Sequence, residues 1–226
     1  MQTVQKSAND ATLTLKWLNW ADTDYIAARQ LLRSGRIVPG TALANTSIEK
    51  YLKALFIMFG ETIPRSHDVR ELYVKISPNL KRFKLNEDFL EFLFKAYKLR
   101  YPDDLEPGYN ICLSFVKILT ELDFSVFEIR KGFNFISDKG AVVTPFDRFV
   151  EEKSVQLLDQ NCYFGDYARK DFFAQITDLY ELRVMANGDL MEVTYLAKDI
   201  ADDGKFMVEA LKPGTSTLPK SIETVD

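Results

Sequence analysis

Pro39-Gly-Thr-Ala-Leu-Ala-Asn-Thr-Ser-Ile-Glu-Lys-Tyr-Leu-Lys-Ala-Leu-Phe-Ile-Met-Phe59 decides the fold class. Ala44, Ile48, Tyr51, Leu52, Leu55 and Phe59 recur three or four residues apart, the period of one helix face. Pro39 suits a first turn, where its missing N–H would find no helical partner in any case. Gly60 supplies a residue that tolerates the left-handed backbone on which helices commonly end. The stretch predicts one long amphipathic helix over Pro39–Phe59.

The flanking sequence repeats the pattern. Upstream, residues 10–34 predict a helix whose stripe is Leu13, Trp17, Trp20, Ala21, Asp24, Ala27, Ala28, Leu31 and Leu32, stopped by Gly35. Downstream, a turn at Glu61–His67 leads to a short helix with Val69, Leu72, Tyr73 and Ile76 inward. Ser77-Pro78-Asn79 is a break. A fourth helix is expected over Glu87–Leu99, with Phe89, Leu90, Leu93, Phe94 and Tyr97 inward. A break at Pro102–Gly108 precedes a fifth over Tyr109–Arg130, carrying Ile111, Phe115, Ile118, Leu119, Leu122 and Phe127. Short connections make these an antiparallel up-and-down bundle of four or five helices over residues 1–131.

Residues 132–226 read as a smaller α+β part. Thr144-Pro145 is a cap and first-turn pair for a helix to about Asp159. Asp171–Ile176 is a candidate short helix. Tyr180–Ala186 and Asp189–Tyr195 flank Asn187-Gly188, the preferred centre of a two-residue type I′ turn, so residues 180–195 predict a β-hairpin. A two-residue loop would set Leu182 against Val193, Val184 against Met191, Tyr180 against Tyr195 and Arg183 against Glu192. An isolated hairpin is marginal, so it must pack on the bundle, on a third strand such as Lys205–Leu211, or on another protomer. The tail from Pro213 reads as loose.

Composition narrows the function. The chain has 226 residues, 46% hydrophobic and 27% charged, which suits a packed globular protein. No apolar run approaches the ~20 residues of a membrane span, so no membrane partner is expected. The first ten residues carry no basic-then-apolar leader. Cys112 and Cys162 lie far apart outside any pair motif, so neither a disulfide framework nor a zinc site is expected, and a cytoplasmic setting fits. His67 is the only histidine. Residues 1–131 hold 19 Lys and Arg against 16 Asp and Glu, whereas residues 132–226 hold 10 against 17. Neither part has the concentrated basic charge of a strong nucleic-acid binder.

Three clusters can carry chemistry. Glu49 and Lys53 are four apart on one helix face, in the favourable order for an ion pair, and Lys50 and Lys53 can present ammonium groups to a phosphate. His67 stands at a helix start that Asp68 is expected to cap. Arg100, before Tyr101-Pro102, offers a planar fork for carboxylate or phosphate. These residues, Glu49, Lys50, Lys53, His67, Asp68, Arg100 and Tyr101, are the candidate ligand-binding set. No catalytic residue, metal ligand or cofactor is assigned.

Trp20-Ala-x-x-Asp24, Ala28-x-x-Leu-Leu32, Ser47-Ile-Glu-Lys-x-Leu-Lys-Ala54, Gly60, His67-Asp-Val69 with Leu72, and Arg100-Tyr-Pro-Asp103 occur in order. That series, over about residues 7–130, resembles the HEPN domain family. The resemblance implies a helical bundle, commonly a homodimer, associated with nucleotides or RNA. In many bacterial cases it implies pairing with a minimal nucleotidyltransferase, in the manner of a toxin–antitoxin pair. Many family members are ribonucleases that carry Arg, four to six residues, then His. In this sequence one residue separates Arg65 from His67, and no histidine follows Arg100. The reading is therefore a non-catalytic HEPN-type module that binds a nucleotide, RNA or a nucleotidyltransferase-like partner. The alternative is a metal-independent HEPN-type ribonuclease in which His67 and Arg100 converge from different helices.

Overall fold

The computed structural model describes residues 8–80, 83–133, 136–137, 140–164 and 179–195. Seven α-helices and five short strands lie among them. Helix α1 spans Ala8–Arg33 and α2 spans Ile37–Phe59. They form an antiparallel pair, in which the Ser47 hydroxyl donates to the Ala21 carbonyl at 3.0 Å. Gly35, at φ +77°, turns the chain between them. Gly60 closes α2 in the left-handed conformation, as expected. Helix α2 begins two residues before Pro39, which occupies its third position, where the N–H still lacks a helical acceptor.

The buried face of α1 differs from the expected stripe. Leu18, Ala21, Tyr25, Ala28 and Leu32 are buried, whereas Leu13 and Trp20 are exposed. The face is rotated because Asp22 and Arg29 also point inward, both at 0% exposure. A hydrophobicity pattern assigns such residues to solvent. Burial is tolerated here because each meets partners.

Helix α3 (Val69–Ile76) is capped by Asp68, whose carboxylate accepts from the backbone N–H groups of Arg70 and Glu71. Helix α4 (Glu87–Tyr97) is capped in the same way by Asn86. It ends sooner than expected and tightens into a 3₁₀ turn over Lys98–Arg100. Val69, Leu72, Tyr73, Ile76, Phe89, Leu90 and Leu93 join one core with Leu52, Leu55, Leu122 and Ile129.

The expected fifth helix is divided. Asn110–Leu113 is strand β1, and α5 starts at Phe115 behind its cap Ser114 and runs to Arg130. Pairing overrides local helical periodicity, because β1 lies antiparallel to β4 (Leu179–Val184), with Ile111 opposite Leu182. A hydrogen-bonded partner some seventy residues away leaves no mark on a local pattern.

Strand β4 pairs in turn with β5 (Leu190–Tyr195), giving the sheet order β1-β4-β5. The hairpin is present, but its register is one residue from expectation. Leu182 faces Glu192 and Arg183 faces Met191. The loop has three residues rather than two. Gly188 N–H donates to the Met185 carbonyl at 2.9 Å, and Met185 N–H to the Asp189 carbonyl at 2.8 Å. Gly188 alone takes positive φ, +88°, as in a type I turn followed by a left-handed residue. Arg183 consequently bonds Glu181 on its own strand.

A second antiparallel pair joins β2 (Ile136–Ser137) and β3 (Gly140–Ala141). Thr144 caps α6 (Pro145–Glu151) in a capping box with Asp147. The helix expected to reach Asp159 breaks at Lys153, φ +49°, and resumes as α7 (Val155–Leu158). The expectations for Asp171–Ile176, Lys205–Leu211 and the tail from Pro213 lie outside the described residues.

Two buried polar knots tie residues 144–161 to α1 and α5. In one, Arg29 pairs with Asp123 and donates to the carbonyls of Gln156 (3.1 Å) and Asp159 (2.6 Å), while the Tyr25 hydroxyl donates to Asp123 at 2.7 Å. In the other, Asp22 accepts from the Tyr51 hydroxyl, from Arg130 at 2.6 Å and from the Phe146 N–H at 3.1 Å. Arg130 also reaches Thr144 and Asp147. Burial pushes the Asp22 and Asp123 carboxyls up from the usual range, against the guanidiniums beside them.

Candidate functional site

Helix periodicity places Glu49, Lys50 and Lys53 within little more than one turn of α2. Glu49 and Lys53 are nearly buried, at 6% and 5% exposure. One carboxylate oxygen, Glu49 Oε1, accepts from Lys53 Nζ at 2.7 Å and stands 3.0 Å from His67 Nδ1. A carboxylate only accepts, so the hydrogen of this contact sits on Nδ1 and His67 donates. Its Nε2 is then the free face of the ring, and the His67 side chain is about two-thirds exposed. Glu49, Lys53 and His67 therefore meet at one place.

Asp68 does a different job. It caps α3 and holds the Arg70 guanidinium through two contacts, 3.0 and 2.7 Å. Arg70 also pairs with Glu91 and lies 3.5 Å over the Phe94 ring. Partial burial opposes ionisation of Asp68, but the hydrogen bonds from Arg70 outweigh it and hold its carboxyl below the usual range. The loop that carries His67 is thereby fixed to α3 and α4.

Lys50 turns toward α1. Its ammonium pairs with Asp24 at 2.6 Å and sits 5.6 Å from the centre of the Trp20 ring. Lys53 stands 5.7 Å from the centre of the Trp17 ring, and Lys16 stands 5.8 Å from that of Trp20. Trp20 is 53% exposed. The sequence reading missed this group because it assigned both tryptophans to the core stripe. The spacing carries a signal: Lys16 and Trp17 lie four and three residues before Trp20, so each neighbours it on a helix.

Arg100 and Tyr101 form a separate cluster. The guanidinium lies over Tyr97 (4.5 Å) and Tyr101 (5.2 Å), and donates to the Tyr101 hydroxyl at 3.2 Å. Arg100 is exposed and has no carboxylate partner among the described residues. No hydrogen bond, ion pair or ring contact among the described residues joins it to His67. No group of three or more His, Cys, Asp or Glu among them is arranged to hold a metal ion. No helix among the described residues is long and apolar enough to cross a membrane.

The arrangement can hold an anion or a planar ring. It offers two anchored ammoniums, an imidazole and two indoles on the α1–α2 side, and a stacked guanidinium at the end of α4. Comparison with known proteins gives a family but no neighbour: no curated relative and no solved structure matches. The HEPN domain family model matches residues 14–123, the stretch that runs from the start of the buried face of α1 to Asp123 in α5. That stretch is 110 of the 226 residues, and over it the chain is similar to HEPN domains.

Proposed function

We propose that the chain is a non-catalytic HEPN-type module that binds a nucleotide, RNA or a nucleotidyltransferase-like partner, using the α1–α2 face and Arg100 for charged contacts. The observation that carries the reading is the Glu49 carboxylate, which fixes Lys53 and His67 together while Arg100 stacks elsewhere. Phosphoryl cleavage by this family of residues needs an imidazole to move a proton and a guanidinium to stabilise the developing charge at one centre. The distribution supports recognition instead. Such a module would act as a homodimer in a cytoplasmic complex.

Melting followed by a reporter dye, with ATP and GTP titrated to millimolar concentration, tests the ligand half. A nucleotide that binds the folded state stabilises it by mass action, by about 2.7 kcal/mol at a hundred times its Kd, and so raises the melting temperature. The shift should shrink in Lys53→Ala and Arg100→Ala. RNA incubated with the protein should stay intact. Cleavage that disappears in His67→Ala would reject the non-catalytic reading.

A further inference from the structure

We infer that the exposed edge of α1 is a stacking platform for the unpaired bases of single-stranded nucleic acid, centred on Trp20 and flanked by Lys16 and Lys50. This rests on the nucleotide or RNA reading above and narrows it to a ligand with free bases and linked phosphates. Trp20 is the most exposed aromatic ring described in the chain, although Ala21 and Tyr25 beside it are fully buried. Ammoniums from two helices approach that one ring, Lys16 at 5.8 Å and Lys50 at 5.6 Å. One turn back, Trp17 is half-buried with the Lys53 ammonium 5.7 Å away. Rings and positive charges thus alternate along the α1–α2 seam.

The ion pairs position these charges. Asp24 holds Lys50 and Glu49 holds Lys53, at 2.6 and 2.7 Å. Lys16 has no carboxylate partner among the described residues, so of the three lysines on this seam it is the one most available to a phosphate. A base gains from stacking on an indole whatever its identity, and its phosphate gains from an ammonium nearby. Two indoles three residues apart lie about 4.5 Å apart along the helix axis, an offset suited to successive nucleotides rather than one. A duplex hides its base faces and cannot stack in this way. An acidic peptide would meet the lysines but leave Trp20 without a stacking partner.

Trp17 and Trp20 are the only tryptophans in the chain, so intrinsic tryptophan emission reports on this face alone. The full-length protein is titrated with an eight-nucleotide adenylate RNA bearing a fluorescent end label. Anisotropy of the label reports binding, and tryptophan quenching on unlabelled RNA reports stacking. The expected result is quenching with the same midpoint as the anisotropy change. Trp20→Ala should weaken binding about tenfold and Trp20→Phe less. The logarithmic salt slope should be about −1.4 for two phosphate contacts, and a duplex of the same length should bind more weakly. The Trp20 ring is exposed, so both variants should melt like the parent. RNA binding without quenching, unchanged in Trp20→Ala, would overturn the platform and leave the broader reading standing. Equal binding of the duplex, or of an acidic peptide that competes with the RNA, would overturn base stacking. No binding at low salt would overturn the platform, while nucleotide-dependent melting would still decide the broader reading.

Discussion

At the scale of single residues, Arg29 and Asp68 carry opposite lessons about charge. Arg29 and Asp123 are both at 0% exposure, so removing either partner strands the other in the interior. Arg29→Met is expected to cost about 3–5 kcal/mol, measured by urea unfolding. Adding Asp123→Leu should recover only part, because the Gln156 and Asp159 carbonyls still lack their donor. Asp68 is more exposed, and its carboxyl is held below the usual range. A depressed carboxyl contributes stability that is present above its unfolded value and is lost as pH falls through the folded one. Asn keeps the cap of α3 but loses the charge that Arg70 meets. The melting-temperature gap between the parent and Asp68→Asn should therefore be open at about pH 6 and narrow only as pH falls below the ordinary aspartate value of about 3.9. A gap that persists in acid would place the contribution in cap geometry instead.

At the scale of elements, the sequence revealed helices more fully than strands. Helix α2 was readable from Pro39 to Gly60 because its stripe is apolar and its stop is a glycine. Asp68 and the Thr144-Pro145 start were readable because caps are local chemistry. Strand β1 was not, since Asn110–Leu113 owes its conformation to Glu181, Leu182 and their neighbours. The hairpin existed where Asn187-Gly188 placed it, yet one extra loop residue moved every cross-strand pair. In the candidate site, helical spacing joins Glu49 to Lys53, but the contact of Glu49 with His67 depends on the fold of the intervening turn and leaves no local mark. Trp17 and Trp20 fall on the apolar stripe because a hydrophobicity pattern assigns Asp22 and Arg29 to solvent. Helix packing adds a constraint that propensity misses. A Cβ on Gly40 would lie 2.8 Å from Leu32 Cγ and 3.0 Å from the Leu32 backbone nitrogen. Ala in place of a helical Gly gains up to about 1 kcal/mol locally, but overpacking costs about 1–3 kcal/mol. The contact with backbone cannot relax by a rotamer change, so the second effect should win. Gly40→Ala is expected to lower the denaturant midpoint. A rise would mean that α1 and α2 can separate freely at this end.

At the scale of the whole molecule, the question is whether residues 1–131 stand alone, as the change in composition after residue 131 suggests. The contacts argue for interdependence. Without residues 132–226, Arg29 loses two carbonyl acceptors, Arg130 loses Thr144 and Asp147, and Asp22 loses the Phe146 N–H. Tyr25 and Phe127 lose the Phe146 ring, 6.1 and 5.6 Å away. Strand β1 loses β4, and its four buried residues lose their cover. Each stranded buried polar group costs about 1–3 kcal/mol, and a domain has only about 5–15 kcal/mol to lose. A fragment ending at Lys131 should therefore melt at least about 10 °C below the full chain, since 1 kcal/mol moves a protein of this size by about 2–4 °C. It should also bind a hydrophobic dye that the full chain does not. An equal melting temperature with no dye binding would show that the helical part folds by itself and that residues 144–161 merely rest on it. The same comparison bears on recognition, because Lys16, Trp17, Trp20, Lys50 and Lys53 all lie on α1 and α2 while the knots that hold α1 lie on its opposite face. If residues 144–161 set the position of α1, the fragment should lose ligand-dependent tryptophan quenching even at temperatures where it remains helical.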